Sequence, residues 1–388
     1  MLFDPTNPAN KFGYFKAGKN FCSYSQHEAQ EYAAKTGEKV EWNFNDEFFS
    51  AIDWTIEPTE SLKELYAERA RQLRNKYDYL VLTFSGGSDS HNILSTFYEN
   101  NIYIDEILTH HVCDGVKDKL SPVGNMIEIT LAAIPEAKRY IEKFPTTIHR
   151  VVDISELIKT YWSQNLLDLK FNFIYYNNYY ITPYNIVATS LPNILPEYQK
   201  LTETKKSVCF IHGNDKPYIE IQNGKWFFSF TSSVIDSSFS IRRQFEKSPV
   251  DDELFYWSPD AWKIMVKQAH VLRRYLYDNR EIIKNLANGV YGDIPSNHLS
   301  RINFFRNRIP TQFIKNAIYP YWRNEIVDIG KVPYDLYGVK SLWWTNSNLP
   351  ATKEHMAGVQ YVSQIAFGEK STRQKPMQIS YDSKKYNF

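Results

Sequence analysis

The chain has 388 residues, of which 43% are hydrophobic and 23% charged, with a formal net charge of +1. That length and balance allow two or three lobes with buried cores, exclude a largely disordered chain, and leave no whole-chain field to attract nucleic acid, although a local basic patch stays open. The three cysteines, Cys22, Cys113 and Cys209, form no CxxC pair, and no 18-residue apolar run exists to cross a bilayer, so a cytoplasmic protein without disulfides, a zinc or iron–sulfur site, or a membrane partner is expected.

Residues 1–76 read as an aromatic-rich N-terminal segment with short helices. It opens in MLFDPTNPAN, whose early acid and two prolines are unlike a secretory signal. A helix is expected over 26–36, ended by Gly37. The run GYFKAGKN over 13–20 nearly spells a Walker A loop, but Asn20 stands where Ser or Thr is needed and no apolar strand precedes it, so it is set aside. Trp42, Phe44, Phe48, Phe49 and Trp54 are expected to pack the segment onto the main body. A second helix over 60–76 would put Leu62, Leu65, Tyr66, Arg69 and Leu73 on one face.

Residues 77–235 alternate strand and helix: a strand over 79–84, a helix to 100, a strand over 106–112, helix around 125–144, a strand over 148–154 and a helix over 155–169. Such alternation predicts an α/β fold with a mainly parallel sheet, whose ligands bind beyond the carboxyl ends of the strands. The Tyr/Asn-rich stretch 171–186 interrupts the rhythm, as a pocket lining or as a packed aromatic cluster. A fourth strand over 207–211 follows, then a hairpin from strands 218–221 and 225–230 around Asn223-Gly224, expected to border the core sheet. Residues 236–388 read as a mainly helical C-terminal lobe. There Ser258 caps and Pro259 opens a helix carrying Ile264, Met265, Val271, Leu272, Tyr275 and Leu276, with His270 in its apolar face, and a last helix is expected over 353–366. Asp251-Asp252-Glu253 is read as a solvated acidic run at a helix entry.

The densest signal is Ser85-Gly86-Gly87-Ser88-Asp89-Ser90, directly behind the first core strand. Two glycines let the backbone approach a ligand, hydroxyls flank them, and Ile93, Leu94, Phe97 and Tyr98 then recur at helical spacing, so the amides sit at a helix start and suit an anion. In these residues the chain resembles the PP-loop (N-type) ATP pyrophosphatases, whose signature is SGG-x-D-S/T after a first strand. The wider arrangement is similar to phage-encoded asparagine-synthase-like proteins. The resemblance implies a parallel-sheet core of the adenine nucleotide alpha hydrolase (HUP) type. It implies that Ser85, Gly86, Gly87 and Ser90 bind the pyrophosphate of ATP, with Ser88 at the variable position, and that Asp89 holds Mg²⁺.

Other residues fall in weaker patterns. His212-Gly213-Asn214-Asp215-Lys216-Pro217 ends the fourth strand and resembles the family's second nucleotide-facing loop. There Gly213 would approach the nucleotide, Lys216 would stabilise phosphate charge, and Asp215 would serve magnesium or substrate; a solvated turn is the alternative. Leu108, Thr109 and His110, at the end of the second strand, would offer backbone to the adenine edge. His110, His111, Cys113 and Asp114 look like metal ligands, but neighbours on a strand point to opposite faces and cannot easily share one ion. Arg242 and Arg243 suit phosphate, carboxylate or a surface ion pair. His91 is expected to face either nucleotide or solvent.

The expected activity is transfer of AMP to a carboxylate or carbonyl oxygen with release of pyrophosphate, then displacement of AMP by an amine or ammonia, with ATP and Mg²⁺ as cofactors. A pyrophosphate leaving group needs amides, hydroxyls and a divalent ion and no covalent intermediate. The acceptor would be a small molecule or a nucleobase. Leu2 and Phe3 follow the initiator where glutamine-using relatives carry a cysteine, so nitrogen would come from ammonia, an amine or a separate donor protein. Sulfur transfer lacks paired cysteines. Two other readings stay open: an ATP-binding sensor without turnover, and a tRNA- or DNA-base-modifying enzyme, which the net charge does not favour.

Overall fold

The computed structural model describes residues 3–111, 129–157, 160, 191–192, 194–204, 207–213, 218–232, 250–279, 308–309, 315–322 and 381–388. The chain opens with strands β1 (Tyr14–Ala17) and β2 (Phe21–Ser23), helix α1 (Gln26–Thr36), strand β3 (Val40–Asn43) and helix α2 (Asp46–Ala51). The strands form an antiparallel sheet in the order β2-β1-β3. Helix α1 starts where the Ser25 side chain accepts the Glu28 amide and stops where Gly37 takes φ 77°, a left-handed conformation that glycine adopts without strain. Trp42, Phe44, Phe49 and Trp54 are buried. Phe44 meets Phe230 at 4.7 Å and Trp54 stacks on Tyr386 at 4.8 Å, so this segment shares one core with the rest of the protein. Phe48, expected in the same core, is exposed.

Helix α3 (Leu62–Lys76) begins in a capping box: Ser61 accepts the Glu64 amide while the Glu64 carboxylate accepts the Ser61 amide. Its expected face, Leu62, Leu65, Tyr66, Arg69 and Leu73, is buried. The main body then runs through β4 (Tyr79–Thr83), α4 (Ser88–Glu99), β5 (Glu106–His111), a π-turn at Ile129–Ala133, α5 (Ile134–Lys143), β6 (Ile148–Asp153), α6 (Pro196–Glu203) and β7 (Val208–His212). The hairpin β8 (Tyr218–Gln222) and β9 (Lys225–Ser229) follows, then β10 (Asp251–Leu254), α7 (Trp262–Asp278), β11 (Arg308–Ile309) and β12 (Tyr386–Asn387).

The core is a five-stranded, all-parallel sheet in the order β10-β7-β4-β5-β6, giving the α/β architecture expected. Helices cover both faces, which is why its central strands are apolar at successive positions rather than alternating. Leu80, Leu82, Ile107, Cys209 and Ile211 pack on the side of α3, α4 and α7, while Val81, Leu108, Val208 and Phe210 pack on the side of Tyr198 and Ile154. The helix around Ile264, Met265, Leu272 and Leu276 buries that row against the first cluster, and His270 is buried with it.

Two expectations are corrected here. The hairpin turns through Asn223 (φ 50°) and Gly224 (φ 75°) as its sequence demands, but it joins β11 and β12 in a separate sheet, β11-β8-β9-β12, and does not pair with the core sheet. Asp251-Asp252-Glu253 is no solvated helix entry. It forms β10, in parallel register with β7 (Asp252 opposite Phe210), with Asp252 and Glu253 buried. The reason is charge compensation. Glu253 receives Arg69 at 3.0 Å, Lys76 at 2.7 Å and the Tyr77 hydroxyl at 2.7 Å, and Asp252 lies 2.7 Å from His212. The fifth strand of the core sheet thus comes from the 236–388 stretch.

Among the described residues, no helix is long and apolar enough to cross a membrane. The stretch 171–186, Cys113, Asp114, Arg242, Arg243 and the helix expected over 353–366 lie outside the described residues, as do Asp215 and Lys216.

Candidate functional site

In chain order the core strands β4, β5, β6, β7 and β10 are first to fifth, so the sheet reads 5-4-1-2-3. The chain builds outward from β4 in one direction, then returns to β4's other side. The reversal lies between the carboxyl ends of the first and fourth strands, the position at which open parallel sheets commonly take ligands. Both candidate loops begin there, one after Thr83 and the other after His212.

The first loop leaves β4 at Phe84, whose amide donates to the Leu108 carbonyl at 2.8 Å and whose carbonyl accepts the Thr109 hydroxyl at 3.0 Å. Leu108 and Thr109 therefore hold the loop from the neighbouring strand and are buried, while His110 at the strand end is half-buried. Gly86 has φ 80°, and a Cβ there would lie 2.7 Å from the Ala133 backbone nitrogen. Conformation and close approach both require glycine at this point. Gly87 caps α4, and its amide donates to the Ser85 hydroxyl at 3.2 Å. The Ser90 hydroxyl donates to the Gly87 carbonyl at 3.2 Å and lies 3.4 Å from that of Ser85. Ser88, Asp89 and Ser90 form the first turn, whose amides have no carbonyl partner inside the helix and carry its positive dipole end. Such a turn behind two glycines is suited to an anion.

Gly213, the first residue past β7, meets the first loop: a Cβ on it would lie 3.0 Å from the Ser90 nitrogen and 3.2 Å from the Asp89 carbonyl carbon, so the two backbones touch. Residues 85–90, 108–109 and 213 thus meet at the carboxyl ends of the adjacent strands β7, β4 and β5, from three separate stretches of chain, while among the described residues no contact brings His110 to them.

Asp89 is gripped from behind by tyrosines that its local sequence does not announce. Its carboxylate Oδ1 accepts the Tyr319 hydroxyl, and its carbonyl accepts the Tyr256 hydroxyl at 2.9 Å. The Asn92 amide donates to Tyr256 at 3.0 Å, and Tyr66 donates to the Ile318 carbonyl at 2.7 Å. All three tyrosines are buried. Burial, with the Asp89 charge next, raises the Tyr319 hydroxyl well above its ordinary value, so it stays a donor to that carboxylate. Such a clamp fixes the rotamer of an acidic group, as an outer partner does for a metal-binding carboxylate.

Among the described residues, no group of three or more His, Cys, Asp or Glu side chains is gathered to hold a metal ion.

His91 does not face solvent. It is fully buried, with Nε2 3.4 Å from a Glu136 carboxylate oxygen and its ring edge-on to Trp322. His111 is buried too, and that burial lowers its affinity for a proton, which the Asp153 charge partly offsets.

The five-stranded all-parallel sheet with flanking helices, and a glycine-bearing loop at its switch point, makes this a mixed α/β protein compatible with a Rossmann-like core. No protein-family model matches the chain, and no curated protein matches it.

Proposed function

We propose that the protein is a PP-loop ATP pyrophosphatase: it binds ATP with magnesium at the switch point and transfers AMP to an acceptor oxygen. The observation that supports this reading is the contact of Gly213, at the end of the fourth strand, with Ser90 and Asp89 of the SGGSDS loop. In the reaction the acceptor oxygen attacks the α-phosphorus, the α–β bridging P–O bond breaks, and pyrophosphate leaves with the electron pair. The amides of 86–90 and the Ser85 and Ser90 hydroxyls would hold that leaving group, Asp89 would hold the ion, and Lys216 would add charge. Magnesium, when bound, neutralises the charge that develops on the phosphates. An amine or ammonia then displaces AMP from the activated acceptor.

The test is incubation with ATP and Mg²⁺, with and without RNA, DNA or a small-molecule cell extract, separating AMP from ADP. AMP with pyrophosphate supports adenylation. ADP contradicts it, and ATP binding without any product leaves a sensor.

Gly213→Ala probes the contact between the loops. A Cβ 3.0 Å from backbone must push the two loops apart by a few tenths of an ångström. Affinity for Mg-ATP is expected to fall about tenfold in calorimetry, while unfolding free energy changes by less than about 1 kcal/mol, because small misplacements at a site cost more than they cost the fold. Undiminished affinity would separate the second loop from the nucleotide.

A further inference from the structure

The two outer strands of the core sheet, β10 and β6, are finished differently. In a parallel ladder alternate residues turn their N–H and C=O to the same neighbour, so one bond fixes which residues of an edge strand look outward. On β10 the Phe255 amide donates to the His212 carbonyl at 3.1 Å, which, with Leu254 opposite His212, turns Asp252 and Leu254 outward. Both outward carbonyls are taken: Lys11 donates to that of Asp252 at 2.8 Å and Arg69 to that of Leu254 at 3.0 Å. Cations close this edge.

On β6 the Ile148 amide donates to the Asp105 carbonyl and the Ile154 amide to the His111 carbonyl, each at 2.9 Å, so Ile148, Arg150 and Val152 bond to β5 while His149, Val151 and Asp153 look outward. Among the described residues no strand pairs with this edge, and neither His149 nor Val151 makes an outward backbone bond. Natural sheet edges are blunted by lysine, proline, a bulge or a projecting charge. The strand Ile-His-Arg-Val-Val-Asp has no Pro or Lys, and its register with β5 is unbroken. Its polar groups turn back on the chain itself. Arg150 donates to Glu106 at 2.7 Å and to Glu197 at 3.0 Å, His149 lies 3.2 Å from the Thr109 hydroxyl, and the Asp153 carboxylate, at the strand's end, accepts the Ser155 amide at 3.0 Å. What the middle of the edge shows to solvent is apolar: Ile148 is 47% exposed and Val151 42%.

We propose that this edge is a self-association surface: two copies of the chain pair β6 with β6, antiparallel about a two-fold axis, and join their five-stranded sheets into one of ten strands. A second copy fits better than a foreign chain because the edge complements itself. A two-fold axis requires antiparallel pairing, and there outward residues meet outward residues. His149 of each copy faces Val151 of the other, each such pair exchanging two backbone hydrogen bonds from groups that look only to solvent in the single chain, and the exposed Ile148 faces Val152. Arg150 meets its own copy at the axis, but the guanidinium that arrives there is already paired with Glu106 and Glu197. A net charge of +1 adds little repulsion between whole chains. The nucleotide reading plays no part in this surface, so either can fail without the other.

The experiment is sedimentation of the 388-residue chain over about 1–100 µM, the range of a weak interface, with Val151→Lys and Val151→Pro beside the wild type. The wild type is expected to pass from monomer to dimer within that range. Lysine keeps the backbone but sets a charge against the other copy's His149, and should raise the dissociation constant at least about tenfold. Proline removes only an outward N–H that the single chain does not use, which sheet edges tolerate, so that variant should fold and stay monomeric. Both should melt where the wild type melts at dilution. Hydrogen exchange read at single amides needs no substitution: His149 and Val151 should slow as concentration rises, whereas Arg150 and Val152, bonded to β5, should be slow throughout. A wild type still monomeric at about 100 µM overturns the proposal, whether or not a different chain takes the edge. So does a dimer that survives both substitutions, or one that leaves the 149 and 151 amides fast, since its interface lies elsewhere.

Discussion

Asp89→Asn is expected to lower the rate of AMP and pyrophosphate formation at least about a hundredfold, a loss of about 2.7 kcal/mol of the kind that follows removal of one electrostatic stabiliser. The same variant should bind ATP with an affinity that magnesium no longer improves. Its fold should persist, because the asparagine oxygen still accepts the Tyr319 hydroxyl and the Tyr256 bond is to the Asp89 backbone. Turnover assays, calorimetry with and without Mg²⁺, and a thermal melt separate these effects. Wild-type turnover in the variant, or a magnesium response that survives, would remove Asp89 from the ion.

The clamp on Asp89 also shows where reading the sequence stops. The SGGSDS loop is legible because strand, turn and helix are local features: an apolar run ends, two glycines follow, and an apolar helical pattern begins. Helix α1, its Ser25 cap and its Gly37 stop are legible for the same reason, as is the Asn223-Gly224 turn. Tyr319 is not. It meets Asp89 across 230 residues of chain, and nothing about a lone tyrosine says which carboxylate it will reach. The hairpin's sheet escapes for a like reason, since its two further strands come from 308–309 and 386–387. Strand β10 is the sharpest case. Asp-Asp-Glu reads as surface by itself, and only Arg69, 184 residues away, and His212, 40 away, make it affordable inside. Local pattern specified α1, the β4–loop–α4 unit and the hairpin turn but neither strands β1–β3 nor β10, whereas long-range ionic and hydroxyl partners specified what stands behind them.

Glu253→Ala should be the most damaging single change to the fold, costing about 3–5 kcal/mol in urea denaturation. It strips the carboxylate from Arg69, whose side chain is 1% exposed, and from Lys76 and Tyr77, leaving an uncompensated buried cation between α3 and β10. Burial alone would raise the Glu253 carboxyl, but the charges of Lys11 and Arg69, with hydrogen bonds from Lys76 and Tyr77, outweigh it and bring it from 4.5 down to about 2. A carboxyl lowered in the folded state stabilises above its unfolded value, and that contribution is lost as pH falls through the folded one. The wild type should therefore lose about 3 kcal/mol through this group between pH 4.5 and about pH 2, a loss the alanine variant cannot show. Replacing Arg69 and Glu253 together with methionine and leucine should restore most of the stability, since the apolar pair leaves no buried charge unmatched. If the single and double variants are equally unstable, packing rather than charge holds β10 against the sheet. If instead the single variant is as stable as the wild type, the ion cluster is ornamental, and Asp252 reaches His212 by some other support.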